Sequence, residues 1–184
     1  MGHDYGMLAT LALGLPLAAG IAALVFHSRV RRGWDAAWAG RAGFAELAMV
    51  VGTLPWVWMI LRPAGGSGGV QLVPFRDLSA VLQGDQTFVQ IVGNLLVFAA
   101  LGFFLPIRFR MGGAGRVPLI VGLVAAGTSA VLETLQFVLP LGRVASVDDV
   151  LVNAVGAVLA SLCSMRWWRA RVGTRRRARE ARTA

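Results

Sequence analysis

The sequence predicts an all-α, polytopic membrane protein, a bundle of about five transmembrane helices. Of its 184 residues, 57% are apolar and 15% are charged, whereas soluble domains average about 45–50% and about 25%. The mean hydropathy of +0.67 agrees with this class. Each of five apolar stretches approaches the ~20 residues that a helix needs to cross ~30 Å of hydrocarbon, and these cover residues 7–26, 44–61, 89–107, 117–139 and 147–165. None alternates like a barrel strand, so each predicts a helix.

The distribution of arginine predicts the orientation of the chain. All 18 basic residues are arginines; fifteen lie in alternate gaps on the side of the C-terminal tail, and three lie on the other side. Because cytoplasmic loops carry the basic excess, we expect the N-terminus outside and the C-terminus inside a multi-pass plasma-membrane protein. The net charge of +9 does not predict a nucleic-acid partner, since no groove-reading motif accompanies it.

Three regions are predicted along the chain. Residues 1–43 form an N-terminal transmembrane helix and a basic cytoplasmic loop, residues 44–165 form a helical core, and residues 166–184 form an Arg-rich cytoplasmic tail. Within the core, residues 63–69 have the Gly/Ser composition of a flexible linker. The single cysteine, Cys163, excludes an intrachain disulfide.

Polar side chains inside the predicted spans are the candidates for function, because such groups are costly in lipid and usually face a partner or a water-filled cavity. Glu133 and Gln136 are three residues apart and share one helix face. Asp149 and Asn153 are four residues apart at the start of the last span. Since the loop between the last two spans is short, these helices are antiparallel neighbours, and we expect the two pairs to lie close together.

Other polar residues fall at the same predicted outer end, and most of them also have a structural interpretation. Asn94 could make an interhelical hydrogen bond, and Asp148 and Asp149 could serve as first-turn acids behind an N-cap at Ser146. Glu133 is harder to explain structurally, because it lies about 9 Å inside its helix end at 1.5 Å per residue.

Five short blocks in a fixed order resemble the VanZ-like family of membrane proteins. They are Val73-Pro74-Phe75, Asn94 to Phe98 with Leu101-Gly102, Glu133 to Gln136, Gly142-Arg143, and Asp148-Asp149 with Asn153 and Gly156. The family takes its name from an accessory protein of glycopeptide resistance that reduces susceptibility to teicoplanin. The resemblance implies a cell-envelope context and names no reaction. The chain departs from the family pattern where Ser146 replaces a frequent acid.

Two functional hypotheses follow. In the first, a polar pocket open to the outer leaflet binds or modifies a lipid-linked or cell-envelope component, such as a cell-wall precursor, and affects teicoplanin susceptibility. Its candidate catalytic residues are Glu133 and Asp149. Its candidate substrate-binding residues are Arg76, Asn94, Gln136, Arg143 and Asn153.

No cofactor is predicted, although Asp148 and Asp149 could hold a divalent cation with help from Asn153. Two of the arginines, Arg76 and Arg143, could bind a phosphate or a carboxylate. In the second hypothesis the protein is a non-catalytic membrane scaffold that contacts lipids and modulates partner envelope enzymes. The sequence leaves open whether the protein is an enzyme.

Overall fold

The structure is a computed structural model that describes residues 19–76, 79, 85–113, 115–139 and 141–167. These residues are mostly helical. Helix α1 covers residues 19–31 and α2 covers Ala36–Ile60. The remaining helices are α3 (Asp85–Val97), α4 (Ala99–Arg108), α5 (Arg116–Val138) and α6 (Val147–Cys163), and two short strands are β1 (Gly69–Gln71) and β2 (Val144–Ser146).

Three helical segments within the described ranges are long and apolar enough to cross a membrane, namely Ala36–Ile60, Ile91–Arg108 and Arg116–Val138. The predicted class, an all-α membrane protein, is therefore confirmed. Most of the first predicted span, residues 7–26, lies outside the described residues. Helix α6 has 17 residues, about 25 Å at 1.5 Å per residue, so it falls just short of a full span. The number of five spans and the orientation stay predictions.

The chain divides into two compact units, and the boundary falls between Leu47 and Ala48 inside α2. In the first unit, the start of α2 is capped by Asp35, whose Oδ1 accepts a hydrogen bond from the Trp38 N–H at 2.9 Å. Arg29 binds Glu46 through Nη2 at 2.6 Å, and its guanidinium lies 5.2 Å from the centre of the Trp34 ring.

In the second unit, α6 packs against α3, α4 and α5. The closest approaches occur at glycines: a Cβ on Gly156 would overlap the backbone of Leu95, and a Cβ on Gly102 would overlap the backbone of Ala157. Small residues of this kind let helices approach closely in membranes. The buried core around them is apolar and consists of Val97, Phe98, Val117, Val121, Ala125, Leu132 and Ala157.

The predicted third span is interrupted. At Phe98 the backbone has φ −109° and ψ 16°, which separates α3 from α4. Phe98 is fully buried, and residues 95–101 around it are all apolar and include no glycine or proline. The sequence therefore carried no signal for this break.

Residues 63–69 do not behave as the predicted free linker, because their backbone is held against the loop that precedes α6. The Ala64 N–H donates to the Leu141 carbonyl at 2.8 Å, and Gly66 lies so close to Gly142 that neither position has room for a side chain. Strand β1 then pairs in parallel with β2. This pairing fixes the loop at one end of the second unit.

Candidate functional site

A cavity of about 640 Å³ lies in the second unit, at the end where α5 finishes and α6 begins. Part of its wall is apolar and comes from α2 and α3, through Trp56, Met59, Val92 and Leu96. The rest is polar. Six of the side chains predicted from the sequence line it together: Asn94, Glu133, Gln136, Arg143, Asp149 and Asn153.

The contact between α3 and α6 at this cavity is a hydrogen bond between side chains. The Asn94 amide nitrogen, Nδ2, donates to Oδ1 of Asp149. Asn94 thus makes the interhelical bond that its structural interpretation predicted, and it does so with a candidate catalytic residue. The two roles are compatible, because a carboxylate can accept several hydrogen bonds.

Glu133 is held by the backbone that leads into α6. Its Oε2 accepts a hydrogen bond from the Ser146 N–H at 2.9 Å. Asp149 and Arg143 both lie near enough to interact with Glu133 electrostatically. The carboxyl group that was hardest to explain from sequence therefore has a charged and polar environment inside the protein.

Two cavity side chains bind the C-terminal end of α2, where the last carbonyl groups of a helix lack partners within the helix. Gln136 donates from Nε2 to the Ile60 carbonyl at 2.9 Å. Arg143 donates from Nε to the Arg62 carbonyl at 2.9 Å and from Nη2 to the Met59 carbonyl at 3.1 Å. A cation is favourable there because the carbonyl end of a helix carries partial negative charge.

Asn153 is the most buried polar group of the cavity, at 2% exposure. Its Nδ2 donates to Oγ of Ser129 on α5 at 2.7 Å. Within the described part of the chain, its Oδ1 has no hydrogen-bond partner. Buried polar atoms are rarely left without one, so this oxygen is an acceptor that the described residues do not satisfy.

Two of the predicted site residues do not line the cavity. Asp148 is buried, and its Oδ1 accepts a hydrogen bond from the Phe75 N–H at 2.6 Å. Its own N–H donates to Oγ of Ser146, the N-cap of α6, so the predicted cap is present. Arg76 lies beside the side-chain amide of Gln71. In the orientation in which the amide oxygen accepts from Arg76, that oxygen lies 3.0 Å from Nε.

Among the residues that the structure describes, no group of three His, Cys, Asp or Glu side chains is placed to hold a metal ion. Asp148 and Asp149 accept hydrogen bonds from different segments, Asp148 from Phe75 and Asp149 from Asn94. The divalent cation between them stays a prediction.

Sequence reasoning missed the part of the site that comes from α2. Trp56 lines the cavity, but a tryptophan near the end of an apolar stretch is ordinarily interpreted as an interfacial anchor. The carbonyls of Met59 and Ile60 were also missed, because any residue carries such a group. The proline at position 55, next to Trp56, was the only local signal.

These features define a class: an all-α membrane protein whose helix ends enclose a cluster of polar side chains. A family model described as VanZ/LLP1 matches residues 45–169, more than half of the chain and all of the cavity lining. The chain therefore belongs to the VanZ/LLP1 family, as the five sequence blocks predicted. No curated protein and no solved structure matches it.

Proposed function

We propose that the protein binds the polar part of a lipid-linked or cell-envelope component in the cavity and thereby affects susceptibility to glycopeptides such as teicoplanin. One observation carries the proposal. Polar side chains from α3, α5, α6 and the loop before α6 converge on one cavity of about 640 Å³, although the helices that supply them are otherwise apolar. Cavities of small-molecule sites have volumes of about 300–1,000 Å³.

The surroundings of the cavity suit a ligand with one polar end and one apolar end. Its α2 and α3 wall is apolar, through Met59, Val92 and Leu96, and large apolar side chains such as Trp58 and Leu96 are exposed nearby. An acyl or polyprenyl chain could lie along such a surface while the head group enters the polar part. From the arginine bias we expect the cavity to open toward the exterior.

The chemistry available in the cavity includes a carboxyl group that could act as a base. Glu133 uses Oε2 for the Ser146 N–H, and an ionised carboxylate has further acceptor capacity. A general base needs to lie within hydrogen-bond reach of the proton that it removes. Binding alone requires no proton transfer, so we propose a binding site. Catalysis by Glu133 or Asp149 would be an additional step at the same site.

The alternative is a non-catalytic scaffold that modulates partner envelope proteins, and one observation favours it. Glu133, Gln136 and Arg143 all make hydrogen bonds to backbone groups of other segments. Such bonds would hold the segments together even if no ligand entered. The scaffold therefore predicts that changes at these residues act through protein abundance.

The experiment compares a deletion strain complemented with wild-type, Glu133→Gln or Asp149→Asn protein, with immunoblots to match abundance. Both substitutions keep an oxygen acceptor for the existing hydrogen bond, remove the charge and replace the second oxygen by an amide nitrogen. As a control, Asp35→Asn removes a carboxylate outside the cavity and keeps an N-cap. The proposal expects loss of the teicoplanin phenotype at normal abundance. An unchanged phenotype at normal abundance would contradict it, and a loss that follows abundance would favour the scaffold.

A further inference from the structure

Hydrogen-bond donors and acceptors are unequal in the cavity. Each of its three side-chain amide nitrogens already donates to the protein: Asn94 to Asp149, Gln136 to the Ile60 carbonyl, and Asn153 to Ser129. Because a carboxylate and a backbone carbonyl only accept, the bonds of Asn94 and Gln136 fix the orientation of these two amides, with the nitrogens turned to protein acceptors. One of the two N–H groups of each amide is thus used before any ligand arrives.

The acceptors are in excess. The Asn153 Oδ1 is buried and has no partner within the described ranges, although Asn153 lines the cavity. Glu133 and Asp149 line it as well, and a carboxylate offers about four acceptor positions on its two oxygens. Oε2 of Glu133 accepts from the Ser146 N–H, and Oδ1 of Asp149 accepts from Asn94.

Arg143 is the cationic side chain that lines the cavity, and its guanidinium is directed mainly at the protein. Its Nε and Nη2 bind the carbonyls at the end of α2. A fork of parallel N–H groups is what makes Arg a good phosphate ligand, and two of those nitrogens are occupied. An anionic group would therefore meet two carboxylates and one guanidinium that is already bound to backbone carbonyls.

Resting on the proposed function, we infer that the cavity selects a head group that carries a primary ammonium. Such a group has three N–H donors and a positive charge, so it complements the Glu133 and Asp149 carboxylates and the unpartnered oxygen of Asn153. A trimethylammonium group has the charge but no N–H donor. A head group with hydroxyls has donors but lacks the charge.

Three lysophospholipids with the same acyl chain separate these chemistries, because all contain a phosphate. They carry ethanolamine, choline or glycerol. The purified full chain in detergent is titrated with each, and binding is followed by tryptophan fluorescence, since Trp56 lines the cavity. Trp56→Phe identifies the part of the signal that comes from the site. Free ethanolamine, titrated alone, distinguishes a lipid head group from a soluble amine.

The ethanolamine lipid is expected to bind at least about tenfold more tightly than the other two, the difference for one charge-assisted hydrogen bond. Glu133→Gln and Asp149→Asn should each weaken it by about tenfold, and Asp35→Asn should not change it. Thermal unfolding of each variant checks that it is folded.

Three results would contradict parts of the account, and they are distinguishable. Equal affinity for all three lipids would overturn the ammonium selectivity and leave the proposed binding site intact. No saturable response to any lipid would count against the binding site itself. If EDTA abolishes binding and Mg²⁺ restores it, the site binds a divalent cation and not an ammonium group. Equally tight binding of free ethanolamine would support the ammonium chemistry and assign it to a soluble amine.

Discussion

The side chain of Asn94 on α3 donates a hydrogen bond to the carboxylate of Asp149 on α6. The two residues are far apart in the sequence, so their helices must approach closely for the bond to form. They do so because the neighbouring Leu95 backbone packs directly on Gly156. A packing feature in the core and a polar feature in the cavity thus depend on the same helix contact.

The glycine contacts predict that an added methyl group lowers stability only where the glycine touches a neighbouring helix. Gly156→Ala and Gly102→Ala would place a Cβ on the backbone of the neighbouring helix, and we expect each to lower stability by about 1–3 kcal/mol through overpacking. Gly127→Ala in α5 is the control, because its Cβ would meet nothing within 4 Å. Thermal unfolding in detergent measures all three. Equal midpoints for Gly156→Ala and Gly127→Ala would contradict the helix contact.

The bond between Glu133 and Ser146 predicts different results for two substitutions at one position. Glu133→Ala leaves the buried Ser146 N–H without its acceptor, at a cost of about 1–3 kcal/mol. Glu133→Gln keeps an oxygen there and should unfold close to the wild-type temperature. The comparison uses the same detergent and the same unfolding signal. If both variants unfold alike, the Ser146 bond does not contribute to stability.

Asp148 is predicted to anchor the loop before residue 76. Its carboxylate accepts the Phe75 N–H, and Phe75 itself has a positive φ of 65°, a conformation that non-glycine residues adopt only when the surroundings hold them. In Asp148→Ala, amide hydrogen exchange at Phe75 should rise about tenfold or more, since a bond to a charged group contributes about 1.5–3 kcal/mol. Asp148→Asn retains an acceptor and serves as the control. Unchanged exchange in both variants would show that the loop is held by other contacts.

Much of the site could be predicted because it depends on helical spacing. Glu133 with Gln136, and Asp149 with Asn153, share helix faces by their separation alone. The short connection between α5 and α6 then requires the two pairs to be neighbours. That inference needed only the helical spacing and the length of one loop, and all four residues line the same cavity.

The rest of the site depends on backbone groups, which every residue carries and which no sequence pattern marks. The carbonyls of Met59 and Ile60 become part of the site because α2 ends there, where Arg143 binds the first and Gln136 binds the second. Residues 63–69 were interpreted as a flexible linker because of their Gly/Ser composition. Instead, Gly66 allows its backbone to touch that of Gly142, whose φ of 65° favours glycine.

The central claim is that polar side chains from separate segments meet in one cavity, and cross-linking between α3 and α6 tests it most directly. In a Cys163→Ser background, the pair Asn94→Cys and Asp149→Cys is treated with a short bifunctional thiol reagent, and the product is identified by mass spectrometry. The control pair is Asn94→Cys and Leu151→Cys, since Leu151 is exposed two residues further along the helix. The account predicts efficient cross-linking of the first pair and little of the control. No cross-link in the first pair, with both cysteines reactive toward a monofunctional reagent, would contradict it.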